Sequence, residues 1–281
     1  MLTQPVSLIV ALLTPFDADG NVDVIALKHH VEWLIDQGID AIMPCGTTGE
    51  GALLEAAEVA AVVAASAQTA EGRADVLAHV GRPATRATAN LARRAIDDGA
   101  HGVAAVVPYY YGLDDDQIKD HYRRLLDSAG ATPVFAYNIP SRTGNDIGPE
   151  SLRELAAEGL AGLKDSTKSF DRHLEYLKIS EDQPTFRVLM GSDGMALDAM
   201  KQGAAGSVSA LSNLRPDLFV QLKEAFLEGR MEEAVAVQEN ISAIKAATST
   251  GPALRGLKEA VSGTLGQVGI GYPTAQRSPL E

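Results

Sequence analysis

Short apolar runs alternate along this chain with longer stretches in which apolar residues recur every three or four positions. The first run covers 7–13. It is followed by 24–37, where Ile25, Leu27, Val31, Leu34 and Ile35 have the spacing of an amphipathic helix. Gly38 stands where that helix should stop. Runs at 41–43, 75–80, 102–107, 133–137, 160–164, 186–190 and 206–208 also read as strands. Stretches 55–69, 84–98, 114–129, 149–158, 170–179, 195–201 and 216–227 read as helices. Acidic residues open the helix at 114, where the positive end of the macrodipole favours them. Eight strand–helix units in about 225 residues predict an α/β fold of the (β/α)8, or TIM-barrel, kind. A doubly wound open sheet is the alternative, disfavoured by the even units and the lack of a glycine-rich phosphate turn. Two further helical stretches, 231–247 and 252–265, precede a poorly periodic segment, 269–281. The predicted organisation is a barrel over 1–228 and a C-terminal helical extension with a tail over 229–281.

Composition narrows the class of protein. The balance of 46% hydrophobic and 22% charged residues is that of a soluble globular chain. A net charge of −13 argues against a nucleic-acid partner. Cys45 is the single cysteine, so no intrachain disulfide forms, and a reducing cytoplasmic setting is expected. The apolar run at 6–13 lacks a basic leader and is too short to span a membrane. The six histidines are scattered, and His29-His30 has no partner one helical turn away, so no metal is expected. No dinucleotide-binding or P-loop pattern is present either.

Candidate chemistry gathers at the C-terminal ends of the strands, where barrels of this kind carry function. Those positions hold Thr47, Thr48, Tyr109, Tyr110, Tyr137, Arg142, Lys164 and Asp193. Lys164 closes an apolar run, which places an amine at the edge of a dry core. Partial desolvation disfavours the ammonium form, and a neutral amine attacks a ketone to form a Schiff base. A phenol such as Tyr137 can shuttle the protons of that chemistry. The turn Gly46-Thr47-Thr48-Gly49 offers hydroxyls and backbone N–H groups to a carboxylate. Plainer readings exist for each residue: a solvated lysine, a capped turn, packing aromatics, a surface arginine. Asp165 reads as a cap or ion-pair partner. Cys45 reads as a small buried hydrophobe, because no histidine is placed near it by sequence.

Taken together, Gly46-Thr47-Thr48-Gly49-Glu50, Pro108-Tyr109-Tyr110, the stretch from Tyr137-Asn138-Ile139-Pro140 to Ser141-Arg142-Thr143-Gly144, Leu163-Lys164-Asp165 and Gly191-Ser192-Asp193 resemble a known family. It is the family of Schiff-base-forming, pyruvate-dependent lyases that contains dihydrodipicolinate synthase and N-acetylneuraminate lyase. The resemblance covers nearly the whole chain. It implies that Lys164 forms an imine with pyruvate and that Tyr137 relays protons. It implies that Thr47 links Tyr137 to Tyr110 of an adjacent subunit, and that Thr47 and Thr48 hold the pyruvate carboxylate. Arg142 would hold the carboxylate of a second substrate, and the backbone of Val208 would face the imine. No cofactor is needed beyond the covalent imine. A homo-oligomer, usually a dimer of dimers, is implied.

Arg142 points to the synthase branch, which condenses pyruvate with aspartate semialdehyde to 4-hydroxy-tetrahydrodipicolinate in lysine biosynthesis. Tyr111-Gly112-Leu113 after the paired tyrosines looks more like aldolases that cleave 2-keto-3-deoxy sugar acids or N-acetylneuraminate. Thr250-Gly251-Pro252 also departs from the Asn-Pro pair of the synthases. The helix after Glu50 carries few polar residues, against feedback inhibition by lysine. A non-catalytic keto-acid-binding paralogue is the reading from a different class.

Overall fold

The computed structural model describes residues 5–248 and 254–280. Eight parallel strands close on themselves in sequence order: β1 (Ser7–Ala11), β2 (Ala41–Met43), β3 (Asp75–His79), β4 (Gly102–Val106), β5 (Val134–Asn138), β6 (Gly162–Asp165), β7 (Arg187–Met190) and β8 (Gly206–Ser209). Closure runs through β1 and β8, with Ile9 opposite Val208. Helices cover the outside: α1 (Val24–Asp36), α2 (Ala56–Ala70), α3 (Thr85–Asp97), α4 (Asp115–Ala129), α5 (Pro140–Thr143), α6 (Pro149–Ala157), α7 (Phe170–Asp182), α8 (Ala196–Lys201) and α9 (Pro216–Leu227). Two more, α10 (Met231–Thr248) and α11 (Arg255–Gln267), form the C-terminal extension. The (β/α)8 expectation is therefore met.

The strand period of two divides the core in two. Leu8 and Val10 pack outward with Leu27, Val31 and Leu34 of α1. Ile9 and Ala11 turn inward and share the barrel interior with Met43, Phe135, Leu189 and Val208. Helix starts are set by local capping. Asp114 and Gln117 exchange side-chain-to-backbone bonds of 2.8 and 3.0 Å at the start of α4, and Asp23 accepts from Ile25 and Ala26 at the start of α1.

Where sequence and structure differ, the cause is length or anchoring. Residues 140–143 read as loop but form α5, a single turn begun by Pro140, too short to show a period. Short 3₁₀ turns at Gly51–Leu53, Asp193–Met195 and Leu211–Asn213 were invisible for the same reason. The expected start of the last helix, with Thr250-Gly251-Pro252, lies outside the described residues. The segment read as a tail is tied down by polar anchors that have no periodicity. Tyr272 is buried, and its carbonyl accepts from the Ser262 hydroxyl at 2.7 Å.

Four histidines are buried among the described residues of this fold, and three of them, His30, His79 and His121, have shifted pKa values. Burial pushes His30 and His121 down to about 4, a backbone bond to Asn213 opposing it at His30. His79 is pushed down to about 3 by burial and then by the charges of Arg82 and Lys164. Unfolding returns each ring to a normal histidine, near 6.5. The unfolded chain then binds more protons, so the stability these rings contribute is complete above about pH 6.5 and is lost as pH falls toward 4. The slope is roughly 1.4 kcal/mol per pH unit for each histidine. Thermal melts stepped from neutral to mildly acidic pH should show a falling Tm; a flat Tm across that window contradicts this packing.

Candidate active site

The register of neighbouring strands assembles the site. Val106 lies opposite Tyr137, Tyr137 opposite Lys164, and Lys164 opposite Leu189. Residues level on adjacent strands point to the same side of a sheet. Tyr137, Val106 and Leu189 are all in the interior cluster, so Lys164 projects into the barrel beside the phenol. Below the lysine, Gly162 carries no side chain. A Cβ there would stand 2.6 Å from the Phe135 ring and 2.2 Å from the Arg187 carbonyl, so Phe135 fills that space instead.

Lys164 is 5% exposed. Its Nζ sits 4.0 Å from the centroid of the Tyr137 ring and 3.9 Å from the Met43 sulfur. Thr47 Oγ1 is 3.2 Å from the Tyr137 hydroxyl. Burial raises the pKa of this phenol. The Lys164 charge and hydrogen bonding from Thr47, Ser166 and Lys164 outweigh burial and leave it below the usual tyrosine value. Ser166 was not picked out from sequence. It follows Lys164 by two residues, and its N–H donates to the Asn138 carbonyl at 2.8 Å. That bond fastens the ends of β5 and β6 together, and the Asn138 side chain donates to Asp146 and to the Tyr176 hydroxyl of α7, at 2.6 and 3.0 Å, which ties the end of β5 to the outer layer.

Thr47 and Thr48 sit on a tight turn between β2 and α2. Gly51 closes it by donating to the Gly46 carbonyl at 3.0 Å. A Cβ on Gly51 would fall 1.7 Å from the Cys45 carbonyl, so only glycine fits. The backbone N–H groups of Thr47 and Thr48 donate to nothing among the described residues. Val208 lies in the barrel lining with Met43, Tyr137 and Leu189.

Beside this group lies a cavity of about 290 Å³, lined among others by Thr47, His79, Val106, Tyr109 and Arg142. Lys164 and Tyr137 do not line it. Thr47 bonds Tyr137, Val106 pairs with it, and the His79 ring meets it edge-on at 5.9 Å, so the cavity abuts the phenol. Arg142 projects from α5, exposed, with no ion pair among the described residues.

Tyr110 is not brought to the site within the chain. It is 84% exposed, and its φ of +84° puts a bulky residue in the left-handed region. Asn145 holds the loop in this shape. Its Nδ2 donates to the Pro108 and Tyr111 carbonyls at 2.7 and 2.8 Å, and its Oδ1 accepts from Leu113 at 3.0 Å. Nothing in the sequence marked Asn145. Asp193 also has a different use: its carboxylate pairs with Lys245 at 3.3 Å, and its carbonyl accepts from Gln238, which anchors α10. Asp165 meets its expectation, accepting from Thr167 and lying 2.9 Å from His173 Nδ1. A histidine does stand near Cys45, against the reading of the sequence. His79 Nδ1 donates to the Cys45 carbonyl at 3.0 Å, and Nε2 accepts from the Val106 N–H at 3.2 Å, so both ring nitrogens are committed.

Among the described residues no group of three or more His, Cys, Asp or Glu could hold a metal ion. No helix among them is long and apolar enough to cross a membrane.

A family model described as the dihydrodipicolinate synthetase family matches residues 4–281. The chain is similar to an uncharacterized DapA-like lyase of Halobacterium salinarum, 39% identical over 252 residues that span 89% of this chain and 81% of the relative. It superposes on the crystal structure of dihydrodipicolinate synthase from Aquifex aeolicus with a TM-score of 0.89 at 32% identity, over 98% of this chain and 92% of the other. It also superposes on a prophage protein of the dihydrodipicolinic acid synthase family from E. coli K12, solved in complex with pyruvate. There the TM-score is 0.92 at 27% identity, over 98% and 92% of the two chains.

Burial pushes the Cys45 thiol up to about 12, so the thiolate is absent at neutral pH. Native protein treated with iodoacetamide should therefore stay unlabelled at Cys45 until denaturant is added. Rapid native labelling would show that the turn opens.

Proposed function

The chain belongs to the dihydrodipicolinate synthetase family, and from that membership we propose that it is a class I lyase in which Lys164 forms the imine with pyruvate. The observation that carries the reading is Lys164 Nζ, almost fully buried, 4.0 Å from the ring of a phenol that is itself bonded to Thr47. The neutral amine attacks the keto carbon of pyruvate, and loss of water from the carbinolamine gives the imine. Loss of a methyl proton gives the enamine, whose carbon attacks the aldehyde carbon. Tyr137, with its lowered pKa, hands protons to and from the carbinolamine and the aldehyde oxygen. The N–H groups of Thr47 and Thr48, without a partner among the described residues, receive the pyruvate carboxylate together with the threonine hydroxyls, and the backbone of Val208 faces the imine.

The second substrate is aspartate semialdehyde. Its carboxylate is taken by Arg142, which lines the cavity, has no ion pair among the described residues and can bind an anion bidentately. After carbon–carbon bond formation, the amino group of this substrate attacks the imine carbon, releases Lys164 and closes the ring of 4-hydroxy-tetrahydrodipicolinate. Tyr110, held outward by Asn145, enters the neighbouring subunit and extends the relay from Tyr137 through Thr47. The working form is then a homo-oligomer built from such pairs. Cleavage of a 2-keto-3-deoxy sugar acid is the second reading, favoured by Tyr111-Gly112-Leu113 in the loop that carries Tyr110.

Borohydride reduction in the presence of pyruvate should leave an adduct on Lys164, located by peptide mass, and Lys164→Ala should abolish it. An unmodified Lys164 in the wild type overturns the lyase reading. Arg142→Ala should keep the adduct while kcat/KM for aspartate semialdehyde falls about 10- to 100-fold, the scale of a lost charge-assisted bond. Unchanged turnover of that aldehyde by the variant removes the chain from the synthase branch.

A further inference from the structure

One wall of the cavity beside Tyr137 comes from residues remote in sequence. Pro279 and Leu280 line it together with residues of the Thr47 turn and Arg142. A buried carboxylate holds them there. Glu50 stands two residues beyond Thr48 with a φ of +55°. Its Oε1 takes Lys258 Nζ of α11 at 2.5 Å, and both side chains are 0% exposed. Its Oε2 accepts the Arg277 N–H at 2.8 Å. Lys258 also donates to the Ala275 carbonyl at 2.7 Å. The Arg277 guanidinium spans Glu58 and the Gly20 carbonyl and lies over the Phe16 ring. A turn from the Arg277 carbonyl to the Leu280 N–H, 2.9 Å, then sets Leu280 against the cavity.

We propose that residues 277–280 form the specificity wall of the aldehyde side, and that Glu50, Lys258 and Arg277 are the positioning residues that latch this wall to the Thr47–Thr48 turn. The proposal deepens the lyase reading above and rests on it. Leu280, Pro279, Leu53, Val106 and Ile139 offer an aldehyde no side-chain hydrogen bond. Most polar side chains on the cavity are already committed. Both His79 nitrogens and both Glu50 oxygens have partners, and the Thr143 hydroxyl donates to the Asn145 carbonyl. The Arg142 guanidinium and the Tyr109 hydroxyl remain unpaired among the described residues. This environment suits a short aldehyde with a methylene beside its carbonyl and an anion at its far end. A polyhydroxylated aldehyde would leave hydroxyls unpaired against the wall, which is a strong ground for rejection.

Two measurements on the full-length chain test it. The first is hydrogen exchange, read by mass spectrometry without substrate, on wild type and Arg277→Ala. The tail peptide near 272–280 and the turn peptide near 46–54 should gain exchange together, while β6 stays protected. A turn that keeps its wild-type rate overturns the latch. The second is kinetics of Leu280→Ser with aspartate semialdehyde and with glyceraldehyde. The preference for the first over the second should fall about tenfold, the scale of one apolar contact in a specificity pocket, while borohydride trapping of pyruvate persists. An unchanged preference overturns the wall. Failure of trapping in the wild type overturns the lyase reading, and the aldehyde assignment with it, while hydrogen exchange still judges the latch on its own.

Discussion

Everything in this molecule depends on parallel strands paired level with one another in a closed ring. With no free edge, each strand has a fixed neighbour on either side, and the period of two fixes which of its residues face in. Tyr137 and Lys164 are 27 positions apart in sequence and opposite in register. The pairing brings amine and phenol together more firmly than any contact they make with each other. Their own interaction, an ammonium over an aromatic ring, is worth about 0.5–2 kcal/mol. The ladder beneath them and the interior cluster around them supply the rest of the restraint. The Asn138 carbonyl, accepting from the Ser166 N–H, keeps the ends of β5 and β6 from drifting apart.

The barrel was legible in the sequence because its signal is periodic. Strand runs and helix spacing repeat eight times, and each repetition supports the others. The grouping of Lys164, Tyr137 and the Thr47 turn was legible for a related reason: they stand at strand ends, which the pattern locates. What escaped has no period. Asn145 acts through three backbone groups in one loop, Ser166 reaches the Asn138 carbonyl on the neighbouring strand, and the partners of Glu50 lie more than two hundred residues away in sequence. Such contacts depend on three-dimensional proximity that no local window contains. The anchoring of the tail has the same kind of source: one ion pair, Arg277–Glu58, hydrogen bonds to Glu50 and Lys258, and one buried tyrosine. Asp193 shows the opposite error. Its place at a strand end suggested chemistry, and its carboxylate is spent on Lys245.

The Glu50–Lys258 pair differs in kind from the ion pairs on the outer helices. Exposed pairs such as Arg73–Glu32 contribute little, because solvent screens both charges. A pair with no exposure at either end gains little over apolar packing, yet removing one partner strands a charge at a penalty of about 3–5 kcal/mol. Burial pulls the Lys258 ammonium below the usual lysine range, and the Glu50 carboxylate opposes that shift without cancelling it. The pair thus acts less as a source of stability than as a demand for one arrangement of α11 and the Thr47 turn.

That demand has a consequence for how the chain matures. Glu50 and Lys258 are separated by 208 positions, so during synthesis the carboxylate emerges long before the amine that neutralises it. At about 5–20 residues per second the wait is roughly 10–40 s. Over that interval the β2 turn cannot bury its acid without stranding a charge. The strands that carry the phenol and the lysine will be complete by then, and the Thr47–Thr48 turn will be among the last parts of the barrel to set.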